Sequence, residues 1–162
     1  MNIITEQLAL RHLPELQQWI GRKSGAITPN DIPQEIEQIP QWYERNAADE
    51  TRLDCLILAY ETPIGIAGLR RYGKVSDSAE LFVFLGEVGY NHIRTATYAT
   101  LGMLDRAFRD FGLQNVSVTV YPRYVEYLES LERMGFIRRE ENSDAVIADI
   151  DREIYFGRKH LF

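Results

Sequence analysis

The stretch Ala79 to Ala99, AELFVFLGEVGYNHIRTATYA, constrains the fold more than any other part of this chain. From Ala79 to Leu85 the residues are apolar at nearly every position, with one carboxylate at Glu80, the pattern of a central strand covered on both faces. A polar loop follows and opens a helix, in which Leu101, Leu104, Phe108 and Phe111 recur at helical spacing up to Gly112. Such a junction suits a phosphate-bearing cofactor, because the first amides of a helix lack intrahelical acceptors and carry the positive end of its dipole. The loop is therefore the candidate functional segment. Yet the glycines it would normally use are absent at its turn, where His92, Ile93, Arg94 and Thr95 stand.

The remaining chain is read around that unit. Its 162 residues fit one domain, 1–162, able to bury a core without disulfide or metal staples. Lys plus Arg number 18 against 24 Asp plus Glu, a net charge of −6, opposite in sign to what a phosphate backbone requires, so no nucleic acid partner is expected. Cys55 is the single cysteine and lies in the apolar run LDCLILAY, which excludes an internal disulfide and a cysteine-rich metal site. His12, His92 and His160 are scattered without ligand spacing, so no metal is expected. No apolar run approaches a membrane span and the amino terminus lacks a leader pattern, so no membrane partner is expected and the cytoplasm is the assigned compartment.

Alternation at Leu8 to His12 predicts a first strand, and Pro14 opens a helix to about Gly21. A helix broken by Pro40 is expected between Ile32 and Asn46. Leu53 to Tyr60 and Ile64 to Tyr72 read as a hairpin joined through Glu61, Thr62 and Pro63. Val116, Val118 and Val120 alternate with polar residues as a strand, Leu128, Leu131 and Met134 mark a helix closed by Gly135, and Phe136 to Glu141 and Glu153 to Lys159 read as a last pair of strands.

The succession AELFVFLG, loop and helix, SVTVY, then YLESLERMGF, preceded by TEQLALRHL and PIGIAGLRRY, resembles the GNAT acetyltransferases over nearly the whole chain, in particular the branch acting on ribosomal-protein amino termini and amino sugars. The resemblance implies a mixed α/β fold: a mostly antiparallel, twisted sheet of about six or seven strands, splayed at the centre, flanked by about four helices. It also implies acetyl-CoA as cosubstrate, lying in the opening beside Phe84 and Leu85, with its pyrophosphate on the amides of Asn91, His92, Arg94, Thr95, Ala96 and Thr97. The family pattern there is Gln or Arg, two residues, Gly, one residue, then Gly or Ala. Counting back along the helix places Asn91, Arg94 and Ala96 on those positions, and only Ala96 conforms.

Arg94 at the glycine position has three readings: its guanidinium binds the pyrophosphate in place of the amides, its side chain occludes the site, or the register is off by one residue, although the helix from Thr97 to Phe111 offers no better one. Glu80 is the candidate general base, on the same strand face as Phe82 and Phe84; the alternative is a structural carboxylate paired with Arg70 or Arg71. Tyr127 is the candidate acid and Tyr124 a candidate cofactor contact, against the alternative that both are packing aromatics. The reading that follows is an acetyl-CoA-dependent N-acetyltransferase for an amine-bearing small molecule or a peptide amino terminus, with a homodimer left open. Its alternative is a catalytically inactive GNAT-fold binding or regulatory module. The acceptor is expected between residues 32–46 and a loop at about 142–151, where Asp31, Glu35, Glu37, Glu44, Asp144, Asp149 and Asp151 supply either attraction for an ammonium group or ordinary solvated charge.

Overall fold

A computed structural model describes residues 2–22, 27–71, 77–90 and 93–158, with the backbone alone described at Arg71. Seven strands form one sheet in the order β1-β2-β3-β4-β5-β7-β6. They are β1 Ile3–Gln7, β2 Arg52–Ala59, β3 Thr62–Arg71, β4 Ser78–Leu85, β5 Asn115–Val120, β6 Ile137–Glu141 and β7 Val146–Asp151. The described α-helices are α1 Leu13–Gly21, α2 Ile39–Ala47, α3 Ile93–Asp105, α4 Val125–Met134 and α5 Arg152–Arg158. Every ladder is antiparallel except β4 with β5.

The period-2 pattern divides the core between the two sheet faces. Leu56, Leu58, Ile66, Phe82 and Phe84 pack with Trp19 of α1 and Trp42 of α2. Ile57, Ala67, Leu81, Val83 and Val118 face the other way, in one cluster with Met103 of α3, Leu131 of α4 and Tyr155 of α5. Gly68 allows the close approach that this requires, since a Cβ there would lie 2.2 Å from the Phe82 ring. Gly135 at φ +116° closes α4, a conformation that an L side chain would strain.

The sheet agrees with the implied splayed fold, and its opening starts earlier than expected. β4 pairs with β5 from Ser78↔Asn115 to Leu81↔Val118 and no further. Phe82 to Leu85 thus run beyond the ladder while β3 still covers their other edge.

Three expected elements are corrected. The opening strand is Ile3–Gln7, and Leu10–His12 is a 3-10 turn, because the His12 Nδ1 accepts the Ala9 amide at 2.9 Å and Pro14 then starts α1. The hairpin turn is Tyr60 and Glu61, both at positive φ (50° and 72°) as a two-residue turn of right-handed strands demands; Thr62 and Pro63 already belong to β3. Pro63 is tolerated there beside the bulge at Ile57/Leu58. Finally, β6 pairs with Val146–Asp151, and the segment predicted as the last strand, Glu153 to Lys159, is helical over its described part. Asp151 explains the switch: its Oδ1 accepts the Ile154 amide at 2.8 Å, an N-terminal capping bond. The expected loop at 142–151 is accordingly mostly β7.

Candidate active site

The site is built where β4 and β5 part. Glu80 lies one residue before the end of their ladder, opposite Arg70 on β3 and Ser117 on β5. Its Oε1 accepts a hydrogen bond of 3.1 Å from Arg70 Nη2, and its side chain is 18% exposed. The Arg70 guanidinium also lies 5.5 Å from the Phe82 ring centroid. Of the two arginines named as alternatives, Arg70 is an observed partner, and the Arg71 side chain lies outside what is described. Pairing with an arginine does not remove Glu80 from chemistry, since it holds the carboxylate in one orientation at the mouth of the opening.

Arg70 leads into a second polar cluster on the same face. Arg52 reaches Asp31 through both terminal nitrogens, at 2.7 and 3.2 Å, and Asp54 through Nε and Nη2, at 3.1 and 2.8 Å. Burial acts to raise the Asp31 carboxyl, but the Arg52 hydrogen bonds and charge outweigh it and leave Asp31 below the usual carboxylate range. For Asp54, which is more deeply enclosed, burial wins and the carboxyl is raised despite the same partner. From the sequence Asp31 is expected only as an acidic residue near the acceptor, and Arg52 and Asp54 are not singled out. The signal was present in R-L-D at the start of β2, which puts both charges on one strand face.

Phe84 and Leu85 are both buried and point to opposite faces of β4, the first against Trp19 at 6.4 Å between ring centroids, the second into the α3 side. Asn91 and His92 lie outside the described residues. α3 begins at Ile93, so Arg94, Thr95, Ala96 and Thr97 form its first turns. Arg94 is exposed, with its guanidinium 6.0 Å from the Tyr98 ring, while Thr95 and Ala96 are fully buried.

Two directed hydrogen bonds join α3 to α4. The single hydroxyl proton of Thr100 goes to Ala96 O at 2.7 Å, so in its 2.7 Å contact with Tyr127 the tyrosine is the donor. By the same argument Thr97 donates to Ile93 O at 2.8 Å and receives Ser130 at 2.6 Å. Tyr127 is completely buried and its phenol is pushed well above its usual range by that burial. The structure thus places Tyr127 between the helices with its proton committed to Thr100. Tyr124 stands just ahead of α4, half-buried, and shares the Arg123 guanidinium with Tyr121, at 4.9 and 4.7 Å from the two rings. Arg123 was not singled out from sequence, since one arginine in a turn carries no periodic signal.

A cavity of about 340 Å³ lies between the ends of β1 and α2, lined by Tyr43, Asn46 and Phe111 together with Arg52 and Asp54 of the polar cluster. No described helix is long and apolar enough to cross a membrane.

Comparison with known proteins agrees with this architecture. The family model described as an acetyltransferase (GNAT) domain matches residues 3–137. No curated protein sequence matches the chain significantly. Among solved structures, a spermidine/spermine N-acetyltransferase from Vibrio cholerae, in glutamate-to-glutamine mutant forms, superposes with a TM-score of 0.81 at 15% identity, covering 97% of this chain and 98% of that one. The spermidine N-acetyltransferase from the same organism, in complex with CoA and spermine, gives 0.78 at 14% identity, covering 95% and 98%. At that identity the likeness speaks for the fold; the family model speaks for the family. This chain is a member of the GNAT acetyltransferases, enzymes that take an acetyl group from acetyl-CoA.

Proposed function

We propose that this enzyme acetylates a primary amine on a small molecule or a peptide amino terminus. The observation that carries the reading is the parting of β4 from β5 directly beyond Glu80, which sets a fixed carboxylate beside an opening flanked by the start of α3. Acetyl-CoA supplies a thioester open to attack by an amine. Glu80 is the base that accepts the amine's proton, directly or through a water, and Arg70 keeps its carboxylate turned to the opening. Arg94 and the first amides of α3 hold phosphate, and Phe84, Leu85 and Tyr124 border the cofactor arm. Tyr127 serves as acid only if its proton leaves Thr100 for the departing thiolate.

A second placement of the family pattern favours the phosphate reading of Arg94. Shifted three residues along, the family pattern falls on Arg94, Thr97 and Ala99, of which Arg94 and Ala99 conform. Arg94 then occupies a position where the family itself uses arginine, and Thr97 replaces the glycine.

The Vibrio cholerae neighbour in complex with CoA and spermine supports an amine acceptor. So does the acidic surface: Asp31 and Asp149 are engaged by Arg52 and Arg139 and Asp151 caps α5, whereas Glu35, Glu37, Glu44 and Asp144 face solvent. The experiment is release of free CoA thiol from acetyl-CoA with spermine, glucosamine and a peptide with a free amino terminus, offered separately. Amine-dependent release with any of them supports the reading; absence of release with all three, in a protein that binds acetyl-CoA, favours a binding module.

A further inference from the structure

Along β4, alternate residues turn their backbone groups to opposite neighbours. Gly86 donates its amide to Ile64 O on β3 at 2.8 Å, so residues in phase with it face β3, while Leu81 and Val83 face the β5 side. Leu81 is the last to pair with β5. At Val83 the vacated edge is filled by the chain itself. The Val83 amide donates to Thr28 Oγ1 at 2.9 Å, and its carbonyl accepts from the amides of Ile27 and Thr28, both at 3.3 Å.

Both residues are sequestered: Ile27 and Thr28 are each 1% exposed, and Ile27 belongs to the same apolar cluster as Val118 and Val120 of β5. The residues that follow them are held outside the opening. Asn30 receives the Ile32 amide at 3.0 Å and donates to Thr28 O at 3.2 Å, Asp31 is gripped by Arg52, and Ile32 packs in the opposite cluster with Trp19 and Trp42.

We propose that Ile27 and Thr28 form an intramolecular strap that competes with acetyl-CoA for the free edge of β4, an inference that rests on the acetyltransferase reading. The Val83 amide has one proton and cannot serve both Thr28 and an amide carbonyl of the pantetheine arm. Binding of the cofactor arm at this edge therefore requires the Val83–Thr28 bonds to open, and the measured affinity is lowered by the stability of the closed form. The strap is anchored at Asn30, Asp31 and Ile32, and in the open form Ile27 and Thr28 leave the edge while these three stay in place.

Thr28→Ala removes the side-chain acceptor and leaves Val83 N–H unpaired in the closed form, whereas Thr28→Ser keeps the oxygen. Calorimetry should show acetyl-CoA bound about fivefold more tightly by Thr28→Ala, the effect of one lost hydrogen bond on the closed form, with Thr28→Ser near wild type. Amide hydrogen exchange should show Ile27 and Thr28 protected in the free protein and exposed at saturating acetyl-CoA, with Val83 protected in both. Equal or weaker binding by Thr28→Ala, or Ile27 and Thr28 protection unchanged by bound acetyl-CoA, would overturn the strap while leaving the acetyltransferase reading intact. Absence of acetyl-CoA binding in wild type and Thr28→Ala alike would overturn the acetyl-CoA reading and the competition with it.

Discussion

Glu80 and Arg70 face each other directly across the β3–β4 ladder, joined at 3.1 Å, at the last turn of the sheet before β4 leaves β5. A cross-strand ion pair elsewhere in a sheet would be structural and nothing more. Here it fixes a carboxylate at the edge of an opening, and the two roles separate by experiment. Glu80→Gln keeps the size and a hydrogen-bonding oxygen for Arg70 but removes the basic group. Turnover should fall on the order of 100-fold, the scale of general-base catalysis, with acetyl-CoA affinity and melting temperature nearly unchanged. A fall in melting temperature with unaltered turnover per folded molecule would assign Glu80 to structure.

Arg94 is exposed at the start of α3 with its guanidinium near Tyr98, free of any burial that would make its removal disruptive. Arg94→Ala should weaken acetyl-CoA binding about tenfold, the value of one charge-assisted phosphate contact, and leave thermal stability unchanged. The loss should shrink as salt rises, because an exposed charge is screened. Unchanged affinity at low salt would remove Arg94 from the site.

Tyr127 is tested through the proton it donates to Thr100. Tyr127→Phe deletes that bond while Thr100 keeps its own to Ala96 O, so the expected loss is about 1 kcal/mol of stability in urea unfolding. If the phenol protonates the thiolate, turnover falls at least tenfold as well; stability loss alone makes it a helix-packing residue.

Arg52 sits between two carboxylates, and Asp54 beside it is 8% exposed. Arg52→Met would strand that carboxylate without its partner, at a cost of about 3 kcal/mol in unfolding. The Asp31 bond has a defined pH dependence. Its carboxyl is lowered in the folded protein, so its stabilising contribution is present above the unfolded value of about 3.9 and fades as pH falls through the lowered folded value. The stability difference between wild type and Asp31→Asn should therefore be full at neutral pH and close in acid. Asp54, raised by burial, has the opposite sign: its contribution is complete below its unfolded value and is lost as pH rises through the folded one. A difference between wild type and Asp31→Asn that widens on acidification would contradict the assigned direction for Asp31.

Legibility in the sequence followed the strength of local periodicity. The strand at Ala79, the valine alternation of β5 and the apolar stripe of α4 are short-range patterns, and all of them are present in the fold. Glu153 to Lys159 misled because apolar residues in a short segment fit either period, and the Asp151 cap that selects a helix is one hydrogen bond. The opening strand was displaced for a similar reason: Leu8 to His12 alternates, but His12 folds back on Ala9. Glu80 was legible as a lone carboxylate in an apolar strand. Thr28 was not, since its partner Val83 is 55 residues away and donates through its backbone amide, a group that nearly every residue carries. The missing glycines belong to the proposal made above, in which the family pattern is shifted three residues along and Arg94 takes the arginine position.

The most direct test of the account is calorimetric titration of the full chain with acetyl-CoA at low ionic strength, followed by thiol release with an amine present. The account predicts one binding site per chain, weakened by Arg94→Ala, and amine-dependent release of CoA that Glu80→Gln suppresses. No binding of acetyl-CoA by the wild-type chain or by Thr28→Ala would contradict it.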